Sequence, residues 1–108
     1  MNFNEYQKLA LVTSNKKLSK RDRIANGAMG LAGEAGETAD VIKKHLYHDH
    51  PLDVEAVKKE LGDTLWYISI LAHEVGLELE EIAEANITKL KARYPEGFSA
   101  EKSLNRKA

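Results

Sequence analysis

The sequence predicts an all-α protein, a helical bundle of about four helices that is completed by oligomerisation. Apolar residues recur with the period of an α-helix along almost the whole chain of 108 residues. No alternating run reaches the length of a strand, and β-branched residues do not cluster. The two prolines, Pro51 and Pro95, stand where the pattern predicts that a helix ends.

The first two predicted helices are joined by a polar connector. Residues 4–7 resemble a capping box that opens helix one, which continues to about Asn15. Residues 16–23 are basic and are expected to form a solvated connector. Helix two is predicted over residues 23–47, because its apolar residues are spaced for one helical face. This stripe consists of Ile24, Ala28, Leu31, Ala35, Ile42 and Leu46.

Helices three and four have recognisable start and stop residues. Asp53 is predicted to cap the start of helix three, which runs to Val75 and stops at Gly76. Helix four is predicted over residues 79–93, before the turn Pro95-Glu96-Gly97.

Length and composition limit the class of protein. The chain is long enough for one domain, predicted over residues 1–98, followed by a polar tail over residues 99–108 with one helical turn after Ser99. A net charge of −1 does not favour a nucleic-acid partner. The absence of cysteine excludes disulfides and a thiol nucleophile. Without a signal-like or membrane-spanning pattern, we expect a cytoplasmic protein that has no membrane partner.

Two pairs of carboxylates with the same spacing are the main indication of function. Glu34 and Glu37 form one pair, and Glu60 and Asp63 form the other. Residues three apart share a helical face, so each predicted helix offers two carboxylates side by side. Such pairs are often only solvated surface groups. Two pairs facing each other, however, would form an all-oxygen site suited to Mg²⁺ or Mn²⁺.

Helix three supports the interpretation as a metal site. From Leu61 to Ala72 it is apolar on nearly every side, and Glu60, Asp63 and Tyr67 share one of its faces. Buried carboxylates are costly unless a cation or hydrogen bonds compensate their charge. A few helices cannot cover so apolar a helix, which predicts a homo-dimer or higher oligomer with contacts at Leu65, Trp66 and Ile70.

Glycine recurs every third residue around the first carboxylate pair, at Gly27, Gly30, Gly33 and Gly36. Each glycine costs a helix about 0.5–1 kcal/mol relative to alanine, so its small size must serve a purpose. Two interpretations remain open, tight packing against a neighbouring helix and close approach of a phosphate. The run is neither a P-loop nor a dinucleotide-binding fingerprint, since the flanking residues of those motifs are missing.

Four short motifs follow one another along the chain: Gly33-Glu34-Ala35-Gly36-Glu37, Glu60-Leu61-Gly62-Asp63, Asn86-x-x-Lys89 and Arg93-Tyr94-Pro95-Glu96-Gly97-Phe98. In this order they resemble the MazG-like nucleotide pyrophosphohydrolases of the all-α NTP pyrophosphatase superfamily. The resemblance implies Mg²⁺-dependent hydrolysis of an NTP or dNTP between its α- and β-phosphates, giving a nucleoside monophosphate and pyrophosphate. It also implies a homo-dimer or homo-tetramer.

The resemblance further implies roles for single residues. The metal ion, Mg²⁺ with Mn²⁺ as a substitute, would be held by Glu34, Glu37, Glu60 and Asp63. Either Glu34 or Glu37 would be the catalytic general base. The substrate would be bound by Tyr67, Asn86, Lys89 and Arg93.

Two alternatives remain open from the sequence. A phosphoribosyl-ATP pyrophosphohydrolase would need the same carboxylates with a different pocket for base and ribose. A non-catalytic helical interaction module would use the carboxylates only in salt bridges, and Mg²⁺ would not stabilise it.

Overall fold

The computed structural model describes residues 1–106 and confirms the all-α fold, with five helices in the described residues. They are α1 (Phe3–Leu11), α2 (Lys20–Tyr47), α3 (Val54–Glu74), α4 (Leu79–Arg93) and the short α5 (Ala100–Leu104). The α5 helix is the helical turn predicted after Ser99. The division into a domain over residues 1–98 and a tail stays a prediction, and residues 107–108 of that tail lie outside the described residues.

Side-chain caps set most of the helix starts. Ser19 accepts a hydrogen bond from the Asp22 amide at 3.1 Å, so α2 begins at Lys20 and not at Arg23. Asp53 caps α3 as predicted, accepting from the Ala56 amide at 2.9 Å. Gly76 follows α3 with a φ of 81°, a conformation that favours glycine.

The predicted start of helix one was wrong. Its capping box is formed by Asn2 and Glu5, and the helix ends at Leu11. Asn4 is used elsewhere, because its side chain accepts a hydrogen bond from the Glu80 amide and donates one to Glu78. Asn4, which the local pattern assigned to the helix cap, therefore forms long-range hydrogen bonds to the start of α4 instead.

The two long helices α2 and α3 form an antiparallel pair that is the main body of the fold. A single buried glutamine fixes α1 onto α3, onto the loop after α3 and onto α4. The Gln7 amide group donates to the carbonyl oxygens of Ser69 and Leu77, at 3.2 and 3.1 Å, and its oxygen accepts from the Leu79 amide at 2.9 Å. Since an unpaired buried amide is costly, these three bonds specify how α1 docks.

Two more contacts join elements that are distant in sequence. Arg23, expected to be solvated, forms an ion pair with the nearly buried Glu74 at 2.6 Å and thereby joins the start of α2 to the end of α3. Trp66 is half-buried and donates its indole N–H to the Ala10 carbonyl oxygen of α1 and to the Thr13 hydroxyl of the following loop, and its subunit contact stays a prediction.

The fold is elongated, and its apolar core is small. The radius of gyration is 16.9 Å, whereas a compact domain of this length has about 13 Å. Leu46 and Leu61 are more than half exposed, although they lie on helices whose faces there are predicted to be apolar, and Ile87 on α4 is half exposed as well. In residues 1–106, no helix combines the length and the apolarity needed to cross a membrane.

Candidate metal centre

Two glycines of α2 set its distance and register against α3. A Cβ atom at Gly27 would lie 3.2 Å from the Leu71 Cβ, and one at Gly30 would overlap the ring of Tyr67. Gly33 and Gly36 have open space where a side chain would stand. Packing of α2 against α3 therefore explains Gly27 and Gly30. It does not explain Gly33 and Gly36.

In this register the first carboxylate pair comes to face Glu60. Glu34, Glu37 and Glu60 each offer a carboxylate oxygen, and these oxygens all lie within 4.8 Å of one another. We call these three residues the carboxylate cluster. Asp63 is exposed and stands outside it, although its negative charge reaches both Glu37 and Glu60.

Two oxygens of the cluster, the Oε2 atoms of Glu34 and Glu60, are buried and have no hydrogen-bond partner among the described residues. Burying such an acceptor without a partner costs about 1–3 kcal/mol, and more when it is charged. In the described part of the chain, no lysine or arginine forms an ion pair with the cluster, and the ion pairs found there involve other acids, Glu74 and Asp40. A divalent cation would satisfy both oxygens, and an all-carboxylate set of donors suits Mg²⁺ or Mn²⁺.

Proton binding reflects the same crowding of negative charge. The pKa of Glu37 is raised, chiefly because its protonated carboxyl can donate a hydrogen bond to Glu60, and further by the Glu60 charge. The pKa of Glu60 is raised, chiefly because its protonated form can donate to Glu34, and further by burial. Without a cation, Glu37 and Glu60 therefore hold protons more tightly than a separate glutamate does.

The two carboxylate pairs are also alike in their backbone support. The Thr38 hydroxyl donates to the Glu34 carbonyl oxygen at 2.9 Å, and the Thr64 hydroxyl donates to the Glu60 carbonyl oxygen at 2.7 Å. Each threonine lies four residues after the first glutamate of its pair. Each helix thus carries the same side-chain-to-backbone hydrogen bond beside its first glutamate.

The other predicted site residues are distributed over two surfaces. Tyr67 is half-buried between α2 and α3, with its ring against Gly30, one turn beyond Asp63. Asn86 and Lys89 are exposed on α4. Lys89 and Arg93 line a groove to which none of the four predicted metal ligands contributes.

Sequence reasoning missed a further neighbour of the carboxylates, Tyr6 on α1. Burial raises the pKa of Tyr6, and the negative charge of Asp63 raises it further, which places α1 at the edge of the candidate site. The signal could not be found in the sequence, because it depends on how Gln7 docks α1 onto α3.

Comparison with known proteins agrees with the all-α fold. The family model described as the MazG nucleotide pyrophosphohydrolase domain matches residues 25–98, which include all the predicted site residues. The protein thus has the architecture of the all-α NTP pyrophosphatase superfamily. Within that superfamily, the chain belongs to the MazG nucleotide pyrophosphohydrolase family.

A curated relative was also found. The Gene 37 protein of Mycobacterium phage L5 is 36% identical over 73 residues. The chain spans 64% of the length of that relative, whose name does not state an activity. No solved structure matches the chain.

Proposed function

We propose that this protein hydrolyses a nucleoside triphosphate, ribo or deoxy, between the α- and β-phosphates to give a nucleoside monophosphate and pyrophosphate. The proposal rests on one observation above all. In a chain of the MazG family, a carboxylate cluster holds two buried oxygens that have no hydrogen-bond partner among residues 1–106, and no lysine or arginine of that segment forms an ion pair with the cluster. This is the donor set that a Mg²⁺ ion carrying a triphosphate would require.

The metal ligands of this proposal are Glu34, Glu37 and Glu60, with Asp63 as the fourth. When bound, Mg²⁺ or Mn²⁺ would neutralise phosphate charge and lower the pKa of a coordinated water. We assign the general base to Glu37. It is the exposed member of the carboxylate cluster, so its carboxylate is accessible to a water that attacks the substrate.

Tyr67 and the α4 residues Asn86, Lys89 and Arg93 are proposed to bind the substrate. In one copy of the chain, Lys89 and Arg93 line a groove that excludes the carboxylate cluster. A second copy is the simplest way to bring α4 cations next to the carboxylates, which supports a homo-dimer or homo-tetramer. The elongated shape and the exposed apolar residues on α2, α3 and α4 support the same assembly.

Sedimentation equilibrium at micromolar concentration is expected to give two or four times the chain mass of 12.1 kDa. The physical reason is that Leu46, Leu61 and Ile87 would otherwise remain in contact with water. A mass equal to that of one chain would contradict the assembly and leave the carboxylate proposal intact.

Mg²⁺ is expected to stabilise the protein in a pH-dependent way. At about ten times its dissociation constant, it should raise the free energy of unfolding by about 1.4 kcal/mol near neutral pH. The direction in which this stabilisation changes with pH follows from the raised pKa values of Glu37 and Glu60. Without metal, their contribution to stability is present below the ordinary pKa of 4.5 and is lost as the pH rises through the raised values.

The Mg²⁺ effect should therefore disappear as the pH is lowered toward 4.5, because protons replace the ion. Thermal unfolding with Mg²⁺ or with a chelator, at several pH values, measures it. A Mg²⁺ effect of the same size at low and neutral pH would argue against these carboxylates as ligands.

The function itself is tested by measuring pyrophosphate release from a panel of ribo- and deoxynucleoside triphosphates, with and without Mg²⁺. Release from one or more of these substrates only with Mg²⁺ is the expected result. Phosphoribosyl-ATP belongs in the same panel, because release from it alone would favour the related pyrophosphohydrolase. Lack of release from every compound, together with a missing Mg²⁺ effect on stability, would favour the non-catalytic helical module.

A further inference from the structure

A groove of about 520 Å³ lies between the end of α4 and the C-terminal segment that contains α5. From α4 it is lined by Lys89 and Arg93, and from the C-terminal segment by Lys102, Asn105 and Arg106. The family match ends at residue 98, so this half of the groove lies outside the matched segment. We call this groove the basic groove.

A tight turn between the two helices brings the C-terminal segment back beside α4. The Gly97 amide donates to the Tyr94 carbonyl oxygen at 3.1 Å, and Gly97 has a φ of 93°, which other residues rarely adopt. The rings of Tyr94 and Phe98 lie 5.5 Å apart across this turn. Ser99 then caps α5 through the Lys102 amide. The return of the chain is thus fixed by specific local contacts.

Among residues 1–106, the charge that lines the basic groove is of one sign. Four of these lining residues are cationic, and none of them is a carboxylate. Within residues 1–106, none of these four cations takes part in an ion pair, although Glu96 and Glu101 are close in sequence. Lys89 and Arg93 are four residues apart on one helix, a spacing at which like charges destabilise it.

The helix dipole accounts for only part of this arrangement. The carbonyl end of α4 favours positive charge, and this accounts for Arg93 in the last turn of the helix. It does not explain why the chain reverses to place Lys102 and Arg106 on the same groove. Several cations around a concavity form a surface that is complementary to an extended polyanion. The Asn105 side-chain amide also lines the groove, and it already donates a hydrogen bond to the Glu101 carbonyl oxygen at 3.0 Å.

We propose that the basic groove binds a di- or triphosphate chain, and that Lys102, Asn105 and Arg106 supply the C-terminal half of this binding site. The anion would belong either to the nucleotide substrate or to the pyrophosphate product. That assignment to substrate or product rests on the proposed function, whereas the binding of a phosphate chain does not.

The first test is calorimetric titration of inorganic pyrophosphate into the full chain in the presence of a chelator, so that no metal contributes. The double variant Lys102→Gln/Arg106→Gln should bind at least about tenfold more weakly, since it loses half of the cations of the groove. Its control is Lys20→Gln/Arg21→Gln, which removes the same charge from exposed residues at the start of α2. The control should bind nearly as tightly as the unmodified chain.

Circular dichroism melting of both double variants separates loss of binding from loss of fold, because all four substituted side chains are exposed. Titration with orthophosphate and with a nucleoside triphosphate then identifies the ligand. Weak binding of orthophosphate beside tight binding of pyrophosphate would support recognition of a chain. Tighter binding of the triphosphate than of pyrophosphate would assign the groove to the substrate, and the reverse would assign it to the product.

Three results would overturn the proposal: no pyrophosphate binding by the unmodified chain, equal binding by the C-terminal double variant, or an equal loss in the control. The variant Glu60→Gln separates this proposal from the proposed function. It should lose hydrolysis and keep metal-free pyrophosphate binding. If the chain hydrolyses nucleotides but the C-terminal variant binds normally, only the basic groove proposal fails. If the groove binds pyrophosphate but no nucleotide is hydrolysed, only the proposed function fails.

Discussion

Replacing Glu60 by glutamine is expected to lower Mg²⁺-dependent pyrophosphate release by roughly 10²–10³-fold. The amide keeps the shape of the side chain but removes the charge from a buried oxygen that has no hydrogen-bond partner in the described part of the chain. Steady-state assays at saturating Mg²⁺ measure the effect. Because the raised pKa of Glu60 reflects hydrogen bonding to Glu34 and burial, the metal-free variant should be no less stable than the unmodified chain.

Glu55→Gln is the matched control for this variant. Glu55 lies in the first turn of the same helix, is exposed, and stands outside the carboxylate cluster. Its replacement should leave pyrophosphate release unchanged. Equal activity of Glu60→Gln and the unmodified chain would remove the cluster from the mechanism.

Replacing Gly30 by alanine is expected to destabilise the protein by about 1–3 kcal/mol. The added Cβ would overlap the ring of Tyr67, which lies directly against the α2 backbone. Either the ring turns away or the two helices separate, and both changes alter the geometry of the adjacent carboxylates. Urea-induced unfolding measures the loss of stability, and the same variant should show reduced pyrophosphate release.

Replacing Gly36 by alanine on the same helix is expected to have the opposite effect on stability. A Cβ at Gly36 meets no atom of the chain within 4 Å, so the higher helix propensity of alanine should prevail. We expect a gain of about 0.5–1 kcal/mol in the free energy of unfolding. A loss of stability at Gly36 comparable to that at Gly30 would mean that the register of α2 and α3 is not set by Gly30 and Tyr67.

Local signals predicted most of the helices correctly. Asp53 and Gly76 mark the ends of α3, and the predicted bounds of helix four agree with Leu79–Arg93. The predictions failed where a distant residue took over a local role. Asn4 looked like a cap but binds the start of α4, and Arg23 looked solvated but pairs with Glu74.

The candidate site shows the same limit. Helical spacing predicted that each pair would share a face, and the structure brings Glu34, Glu37 and Glu60 together. Spacing could not predict the register, because that depends on how closely Gly30 lets Tyr67 approach. It also could not predict that Lys89 would share a groove with the C-terminal segment, since a turn at Gly97 creates that contact.

The central claim is cleavage between the α- and β-phosphates, and phosphorus NMR of the reaction products tests it most directly. With Mg²⁺ and a nucleoside triphosphate that is turned over, we predict a nucleoside monophosphate and inorganic pyrophosphate in equal amounts. The chain with Glu60→Gln should give neither product in the same time. Formation of a nucleoside diphosphate and orthophosphate would contradict the account, because it would show cleavage at the other phosphoanhydride bond.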